Sequence, residues 1–463
     1  MIDPAGSRHA PILVVGDLVA YLFSLVLALA LRYSMIPSRA LLAIHLPPFL
    51  ILFALFLIIN FSAGLYNKQA LLTAPSRAFG LLIQSQLIAV LVSVAFFYFA
   101  PVAIAPKANL FIYAVISTIA LIVWRMIMFP VVSTAKNQRA ALIGTGEGIK
   151  ELYEEVNTRG RYGLVFTSLV EPAASTSQTV AAISQTMKDT QASVIAADLH
   201  NRSVSEAMPF LYSLIFSGTV IIDAARLYEG IFDRIPLSMV GERWLVENTG
   251  STVVGRRVYD VLKRAMDIIV AFILGIISLI FYPFVYVAIK AEDKGPLFIK
   301  QDRIGRNGKL IKIIKFRSMG PANGPAGAHS GNDQGAYANG GKTELKITRV
   351  GRIIRLTRID ELPQLWNVLR GDISLIGPRP ELPALVAVYE KEIPYYHVRH
   401  LIQPGLSGWA QIYHQAHPHH TIAVDDTRDK LSYDLYYVKN RSFMLDVRIA
   451  LQTIRALISR RGV

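Results

Sequence analysis

At 463 residues the chain exceeds one ordinary domain, and two or three units are expected. Its 52% hydrophobic residues and mean hydropathy of +0.39 lie on the membrane side of the soluble average, and its formal charge of +15 calls for an anionic lipid, substrate or nucleic acid. The absence of Cys excludes disulfides, Cys-ligated zinc and thiol catalysis, and no zinc spacing or recognition-helix signature supports nucleic acid.

Four apolar stretches open the chain, at about 12–31, 46–65, 79–99 and 110–129, each near the ~20 residues a helix needs to cross the hydrocarbon. The first is too long for a secretory h-region and more spans follow, so no cleaved signal is expected. Arg8, Lys68, Arg77, Lys136 and Arg139 against Arg32, Arg39 and Lys107 favour both ends of this domain inside. Asp17 and Arg125 fall within spans, where charge is costly, so they are expected to face other helices or to snorkel.

From Gln138 to about Pro236 short apolar runs alternate with amphipathic stretches. Residues 140–143, 164–170, 193–197 and 220–223 read as strands with helices between, which means a parallel sheet. The first turn, Gly144-Thr145-Gly146-Glu147-Gly148, half-matches a dinucleotide-binding turn. Its third glycine comes one place early, and Glu171 stands later than the usual acidic position, so a plain tight connection fits as well.

A fifth apolar run, 268–289, carries Arg256, Arg257, Lys263 and Arg264 before it and Lys290, Lys294 and Lys300 after it. Basic flanks on both sides argue for a segment that dips into the membrane and returns, bent where Pro283 removes an N–H. The alternative is a fifth span with a proline kink. Residues 320–341 read as a surface loop and the remainder as mixed helix and loop. In 442–461, Leu445, Ile449 and Ile454 oppose Arg448, Arg455 and Arg460, as on a helix lying on an anionic membrane or packed on its own domain.

The basic residues after Pro296 cluster around one adjacent carboxylate pair. The clusters are Gln301-Asp302-Arg303-Ile304-Gly305-Arg306 with Lys315-Phe316-Arg317, then Arg355 to Gln364, then Gly377-Pro378-Arg379-Pro380. Such density suits phosphate, which arginine holds with paired hydrogen bonds. Asp360 reads as the N-cap of a helix with Pro363 in its first turn, kept ionised by the helix N-terminus. It is therefore a cap, a nucleophile or a metal ligand. His414, His417, His419 and His420 sit in a Pro-containing stretch without a partner carboxylate and read as a solvated loop.

Five ordered motifs carry a resemblance: Lys315-Phe316-Arg317-Ser318-Met319, Asp360-Glu361-Leu362-Pro363-Gln364, Asn367-Val368-Leu369-Arg370-Gly371-Asp372, Gly377-Pro378-Arg379-Pro380 and Pro404-Gly405-Leu406-Ser407-Gly408-Trp409-Ala410-Gln411. From about Val258 onward the chain resembles the bacterial sugar transferases, monotopic polyprenyl-phosphate glycosyl-1-phosphate transferases. Its four spans and nucleotide-domain-like module resemble the long form that starts exopolysaccharide, capsule or O-antigen synthesis. The resemblance implies transfer of a sugar phosphate from a nucleoside-diphosphate sugar (a UDP-sugar) to polyprenyl (undecaprenyl) phosphate, with release of the nucleoside monophosphate.

Carried over residue by residue, it makes Asp360 the nucleophile and Glu361 a Mg²⁺ ligand. Arg355 becomes a phosphate contact, with Lys315, Arg317 and Arg379 as further phosphate positions, Arg303 and Asp434 as added candidates, and Pro283 as the breaker of a re-entrant helix. Asp434 suits a structural hydrogen bond equally well. Two departures stand out: Tyr282 where the family often has serine, and Ile412-Tyr413-His414-Gln415 where short members continue Val-Asn-Gly-Arg.

The expected architecture is a multi-domain membrane protein. It has a transmembrane helix bundle (1–135), a Rossmann-like α/β parallel-sheet domain (136–250) and a mainly α catalytic domain (251–463) with a re-entrant helix at about 267–290. The expected location is the cytoplasmic (inner) membrane, multi-pass, with the catalytic domain facing the cytoplasm and anionic lipid beneath it; a homo-oligomer is left open. The rival readings are a membrane-tethered NAD-dependent nucleotide-sugar oxidoreductase or epimerase, which needs a Tyr-x-x-x-Lys pair absent from the middle domain, and a non-enzymatic scaffold.

Overall fold

The computed structural model describes residues 9–66, 75–99, 107–133, 138–160, 162–249, 253–321, 345–413 and 423–458. The histidine-rich stretch 414–422, most of the 320–341 loop, and Arg8, Lys68, Lys136 and Arg460 lie outside them. Contacts divide the chain into two units, Met1–Ile231 and Phe232–Val463, so the break falls earlier than residue 250. Ile235, Val240 and Trp244 belong to the core of the second unit.

Four helices, Pro11–Tyr33, Arg39–Ser62, Gly80–Phe99 and Asn109–Met128, are long and apolar enough to cross a membrane. The second begins well before the expected residue 46 and ends at Ser62. The Ser38 side chain accepts a hydrogen bond from the Leu41 N–H, and Pro47 and Pro48 are carried inside the helix rather than delaying its start. Asp17 is wholly buried against Arg125, their oxygen and nitrogen 2.5 Å apart. Tyr66 donates to the same carboxylate at 2.8 Å. This is the interhelical pairing expected for charges at that depth.

The C-terminal part of the first unit holds a four-stranded parallel sheet in the order β2-β1-β3-β4: β1 is Gln138–Ile143, β2 Leu164–Val170, β3 Val194–Ala197 and β4 Val220–Asp223. Ala140, Ala141, Leu142 and Ile143 are fully buried, because helices cover both faces of such a sheet. The strand order reverses between β1 and β3, where Gly144 and Asp198 follow the strand ends. A Cβ on Gly144 would meet the Ile149 side chain at 2.8 Å. The glycine therefore serves close strand–helix packing.

In the second unit two helices, Tyr259–Ser278 and Tyr282–Glu292, are bent by 54° across a three-residue break. Pro283 stands in the first turn of the second helix, where its missing N–H costs nothing. Tyr282 packs edge-on to Phe316, ring centroids 4.8 Å apart. The first helix is pinned to its own unit by polar groups. Arg264 donates to the Val368 and Leu369 carbonyls at 2.6 and 2.9 Å, and Asp267 accepts from Ser374 Oγ at 2.7 Å.

The expectation of only helix and loop beyond this point is corrected by an antiparallel hairpin, β5 (Phe298–Ile304) and β6 (Leu310–Phe316). Its turn holds Asn307 and Gly308 at positive φ, the Asn-Gly pairing that such hairpins favour. The terminal helix Phe443–Ile458 also differs from expectation. Leu445 and Ile449 are buried in the core, whereas Ile454 is exposed on an outer stripe with Phe443, Leu451 and Leu457. The three aliphatic positions do not share one face.

Candidate active site

Asp360 and Glu361 lie in a single 3-10 turn, Ile359–Glu361, between the basic helix Arg349–Leu356 and the helix Gln364–Arg370. Arg358 enters the turn in the left-handed region at φ 57°, and Pro363 precedes the following helix. Asp360 is therefore not the N-cap expected from its sequence. It is buried, and its Oδ1 has no hydrogen-bond partner among the described residues.

Burial pushes the Asp360 carboxyl up, to about 6, and the adjacent Glu361 charge adds to the shift, against the pull of Lys315, Arg355 and Arg358. The expected ionising effect of a helix terminus is overridden by desolvation. Burial pushes Glu361 up too, but Arg379, Lys315 and Arg358 outweigh it and hold that carboxyl below the usual range. Two neighbouring carboxylates thus differ in proton affinity. Arg379 and Arg358 each approach Glu361 Oε1 to 3.4 Å.

The hairpin brings Lys315 to this pair. Burial draws its ammonium down to about 8, Arg379 repels it further, and Glu361 opposes the fall. Asn367, fully buried, fixes the strand: it accepts from the Ile314 N–H at 3.0 Å and donates to the Lys312 carbonyl at 2.7 Å. The NVLRGD motif therefore clamps the lysine strand to the helix after the acid pair. Arg355 contributes a buried Nη1 without a partner among the described residues, complementary to the orphaned Asp360 Oδ1. Each unpaired buried polar atom costs about 1–3 kcal/mol, which a bound phosphate or cation would offset.

Arg303 is set beside the same turn, donating to the Pro380 carbonyl at 3.2 Å and to Gln301 Oε1 at 2.6 Å. Arg317 is not brought to the acid pair: its guanidinium lies over Gly295, where an added Cβ would meet it at 1.8 Å, and Glu292 is its charged neighbour. Asp434 is wholly buried in an ion pair with Arg399, 2.7 Å apart. Arg399 also donates to the Arg379 carbonyl at 2.9 Å, so it supports the Gly377-Pro378-Arg379-Pro380 turn from behind. Sequence reasoning missed Arg399 and Asn367 as supports; Asn367 stood inside a quoted motif, whereas Arg399 stood in none.

The family model described as bacterial sugar transferase matches residues 258–460. An exopolysaccharide production protein of Rhizobium leguminosarum bv. phaseoli is 39% identical over 203 residues, 43% of this chain and 96% of that protein. The chain belongs to the bacterial sugar transferases. A second model, described as a CoA-binding domain, matches residues 61–204 of this sugar transferase. A UDP-glucose:undecaprenyl-phosphate glucose-1-phosphate transferase of Caulobacter vibrioides is 32% identical over 262 residues, 55% of this chain and 93% of that protein. A UDP-N-acetylgalactosamine-undecaprenyl-phosphate N-acetylgalactosaminephosphotransferase of Aeromonas hydrophila is 41% identical over 222 residues, which is 47% of this chain and 48% of that protein. The match thus spans about half the length of the Aeromonas relative.

Proposed function

We propose that this sugar transferase moves a sugar 1-phosphate from a UDP-sugar to undecaprenyl phosphate and releases UMP, as the first membrane step of exopolysaccharide, capsule or O-antigen synthesis. The observation that carries the reading is the buried Asp360–Glu361 pair, with its orphaned Oδ1, set among Lys315, Arg355, Arg358 and Arg379. An Asp360 oxygen attacks the phosphorus bearing the sugar, and the bond to the UMP oxygen breaks. The lipid phosphate oxygen then attacks the same phosphorus, the aspartyl bond breaks, and the carboxylate is restored. Splitting one displacement into two is the usual gain of a covalent intermediate. Lys315, Arg355 and Arg379 counter the diphosphate charge, with Arg303 beside them.

Mg²⁺ fits this site. Among the described residues no three His, Asp or Glu side chains converge as a metal cage. Mg²⁺ needs none, because it takes one or two carboxylates together with substrate phosphates. Glu361, with the orphaned Asp360 Oδ1 beside it, would hold the ion, and when bound it supplies charge neutralisation at the leaving phosphate.

The helix pair around Pro283 is read as re-entrant, with both ends cytoplasmic. Lys263, Arg264 and Asp267 tie the start of the first arm to the catalytic unit, so neither arm supplies the ~20 apolar residues of a full crossing. Exposed Phe272, Ile276, Ile280, Phe284 and Val287 give the bend a lipid-facing surface. This keeps Asp360 on the side of cytosolic nucleotide sugars at the inner membrane, with anionic lipid beneath the outer stripe of the terminal helix.

The test supplies a panel of UDP-sugars with undecaprenyl phosphate and Mg²⁺ and measures UMP. Wild type should release UMP from one sugar, and without lipid a sugar-phosphate adduct should appear by intact-protein mass spectrometry. Asp360→Asn should abolish both. Near-normal UMP release by that variant would refute the assignment of Asp360, and release from no sugar would refute the reaction.

A further inference from the structure

The region matched to the transferase family begins at residue 258, yet the second unit begins at Phe232. The intervening segment is built into the core. We propose that the strap formed by residues 233–244 is part of the transferase, with Asp233 as a positioning residue for Arg379. The proposal rests on the assignment of Arg379 and Glu361 to the reaction.

Asp233 occupies the left-handed region at φ 52°, a conformation that persists only where the surroundings over-determine it. Three groups do so here. Trp409 Nε1 donates to its carbonyl at 2.8 Å, the Tyr436 hydroxyl donates to Oδ1 at 3.0 Å, and Arg448 donates to Oδ2 at 3.2 Å. The Arg448 guanidinium also lies over the Trp409 ring, 4.8 Å from its centroid, and Tyr436 stacks on the same indole. Two residues on, Ile235 and Ser432 are tied twice: the Ile235 N–H donates to the Ser432 carbonyl at 3.1 Å, and Ser432 Oγ donates to the Ile235 carbonyl at 2.6 Å. The side chains of Ile235, Val240 and Trp244 then enter the core that contains Trp409. The strap is a fixed wall.

From Trp409 the path to the site runs through backbone packed too tightly to give. β8 (Gly405–Ser407) pairs in parallel with β7 (Ser374–Ile376), just before the turn that carries Arg379. The Gly377 N–H donates to the Ser407 carbonyl and the Gly405 N–H to the Pro378 carbonyl, each at 2.9 Å. A Cβ at Gly377, Gly405 or Gly408 would meet neighbouring backbone at 2.5, 2.1 or 2.4 Å. Contacts this close transmit displacement instead of absorbing it. A shift of the indole therefore moves the Gly377–Pro378 backbone, and Arg379 is the next residue, with its guanidinium 3.4 Å from Glu361.

The experiment compares full-length wild type, Asp233→Ala and Asp233→Asn in detergent, by UMP-release kinetics and by hydrogen exchange of the Gly377 and Gly405 amides. Asp233→Ala should lower kcat roughly tenfold, within the range that a small misplacement of a catalytic group produces, while KM for the UDP-sugar changes less. The Gly377 and Gly405 amides should exchange faster, and those of the β5–β6 hairpin should not. Asp233→Asn keeps an acceptor for Tyr436 and tolerates the left-handed backbone, so it should recover most of kcat. Unchanged exchange at Gly377 and Gly405 overturns the proposal, as does loosening of the whole unit with kcat intact, which marks a mere prop. If wild type released UMP from no UDP-sugar, the function reading would fail, and the exchange pattern would still decide Asp233.

Discussion

Replacing Asp434 by Asn tests whether the buried charge pair behind the site is structural. Both side chains of the Arg399–Asp434 pair are only 1% exposed, with nitrogen and oxygen 2.7 Å apart. Arg399 spends its remaining donors on the Tyr396 hydroxyl and the Arg379 carbonyl, each at 2.9 Å. Breaking such a pair from one side costs about 3–5 kcal/mol, because the surviving charge stays desolvated. Glu381, 3.9 Å from Arg399 and already in contact with Lys430, gives partial compensation. A loss of about 3 kcal/mol is therefore expected. For a unit of this size each kcal/mol moves Tm by about 2–4 °C, so the drop is about 6–12 °C.

Calorimetry of the detergent-solubilised protein reads the shift in the transition of the catalytic unit. Arg399→Met should be at least as damaging, since it strands Asp434 and leaves Tyr396 and the Arg379 carbonyl without their donor. Combining it with Asp434→Leu should recover stability, giving a coupling of the sign expected for neighbours in one network. A shift under about 2 °C for Asp434→Asn, with UMP release lost, would refute the structural reading and return Asp434 to the substrate.

Cysteines placed at Arg257 and Lys294, in a chain with no natural Cys, should be labelled from the same face of oriented vesicles; opposite faces would mean a full crossing. UMP release should decline as pH rises through about 8, because the Lys315 ammonium, lowered first by burial and then by Arg379, loses its proton there. Lys315→Arg should keep its activity across that range, since guanidinium does not titrate, and an unmoved alkaline limb would assign it to another group. Burial, with Arg399 second, holds His400 down at about 3, against about 6.5 in the unfolded chain. A depressed His contributes stability that is full above pH 6.5 and lost as pH falls toward 3. The catalytic unit should therefore lose about 2 kcal/mol between pH 7 and 5, a loss that His400→Gln removes in chemical-denaturation curves.

The spans and the parallel sheet were legible because each is written in local pattern: long apolar runs, and strands alternating with amphipathic helices. Boundaries were less so. The second span starts at Arg39 because Ser38 caps it, although Pro47 and Pro48 invite a later start. The β5–β6 hairpin carried a usable signal, Asn307-Gly308 between two apolar-rich runs, but charged residues interleaved along both strands blurred the alternation. The terminal helix misled for a different reason. It has two apolar faces, one for the core and one outward, and periodicity alone merges them.

The acid pair itself was legible as a motif, and its electrostatics were not. Local sequence makes Asp360 a helix cap, but burial by non-local elements turns it into a carboxyl with raised proton affinity. The cations around the pair come from separate places: Lys315 from a hairpin and Arg355 from the preceding helix oppose that rise, while Arg379, on a turn held by Arg399, holds Glu361 down. Lys315 and Arg379 repel one another, Arg355 Nη1 and Asp360 Oδ1 lack partners among the described residues, and Glu361 is well compensated. Under the proposed reaction a diphosphate with Mg²⁺ would satisfy the cations and the orphaned oxygen together. The cationic density that looked, in the sequence, like a generic basic face therefore surrounds a buried carboxyl. A solvated basic surface would need no orphaned carboxylate at its centre.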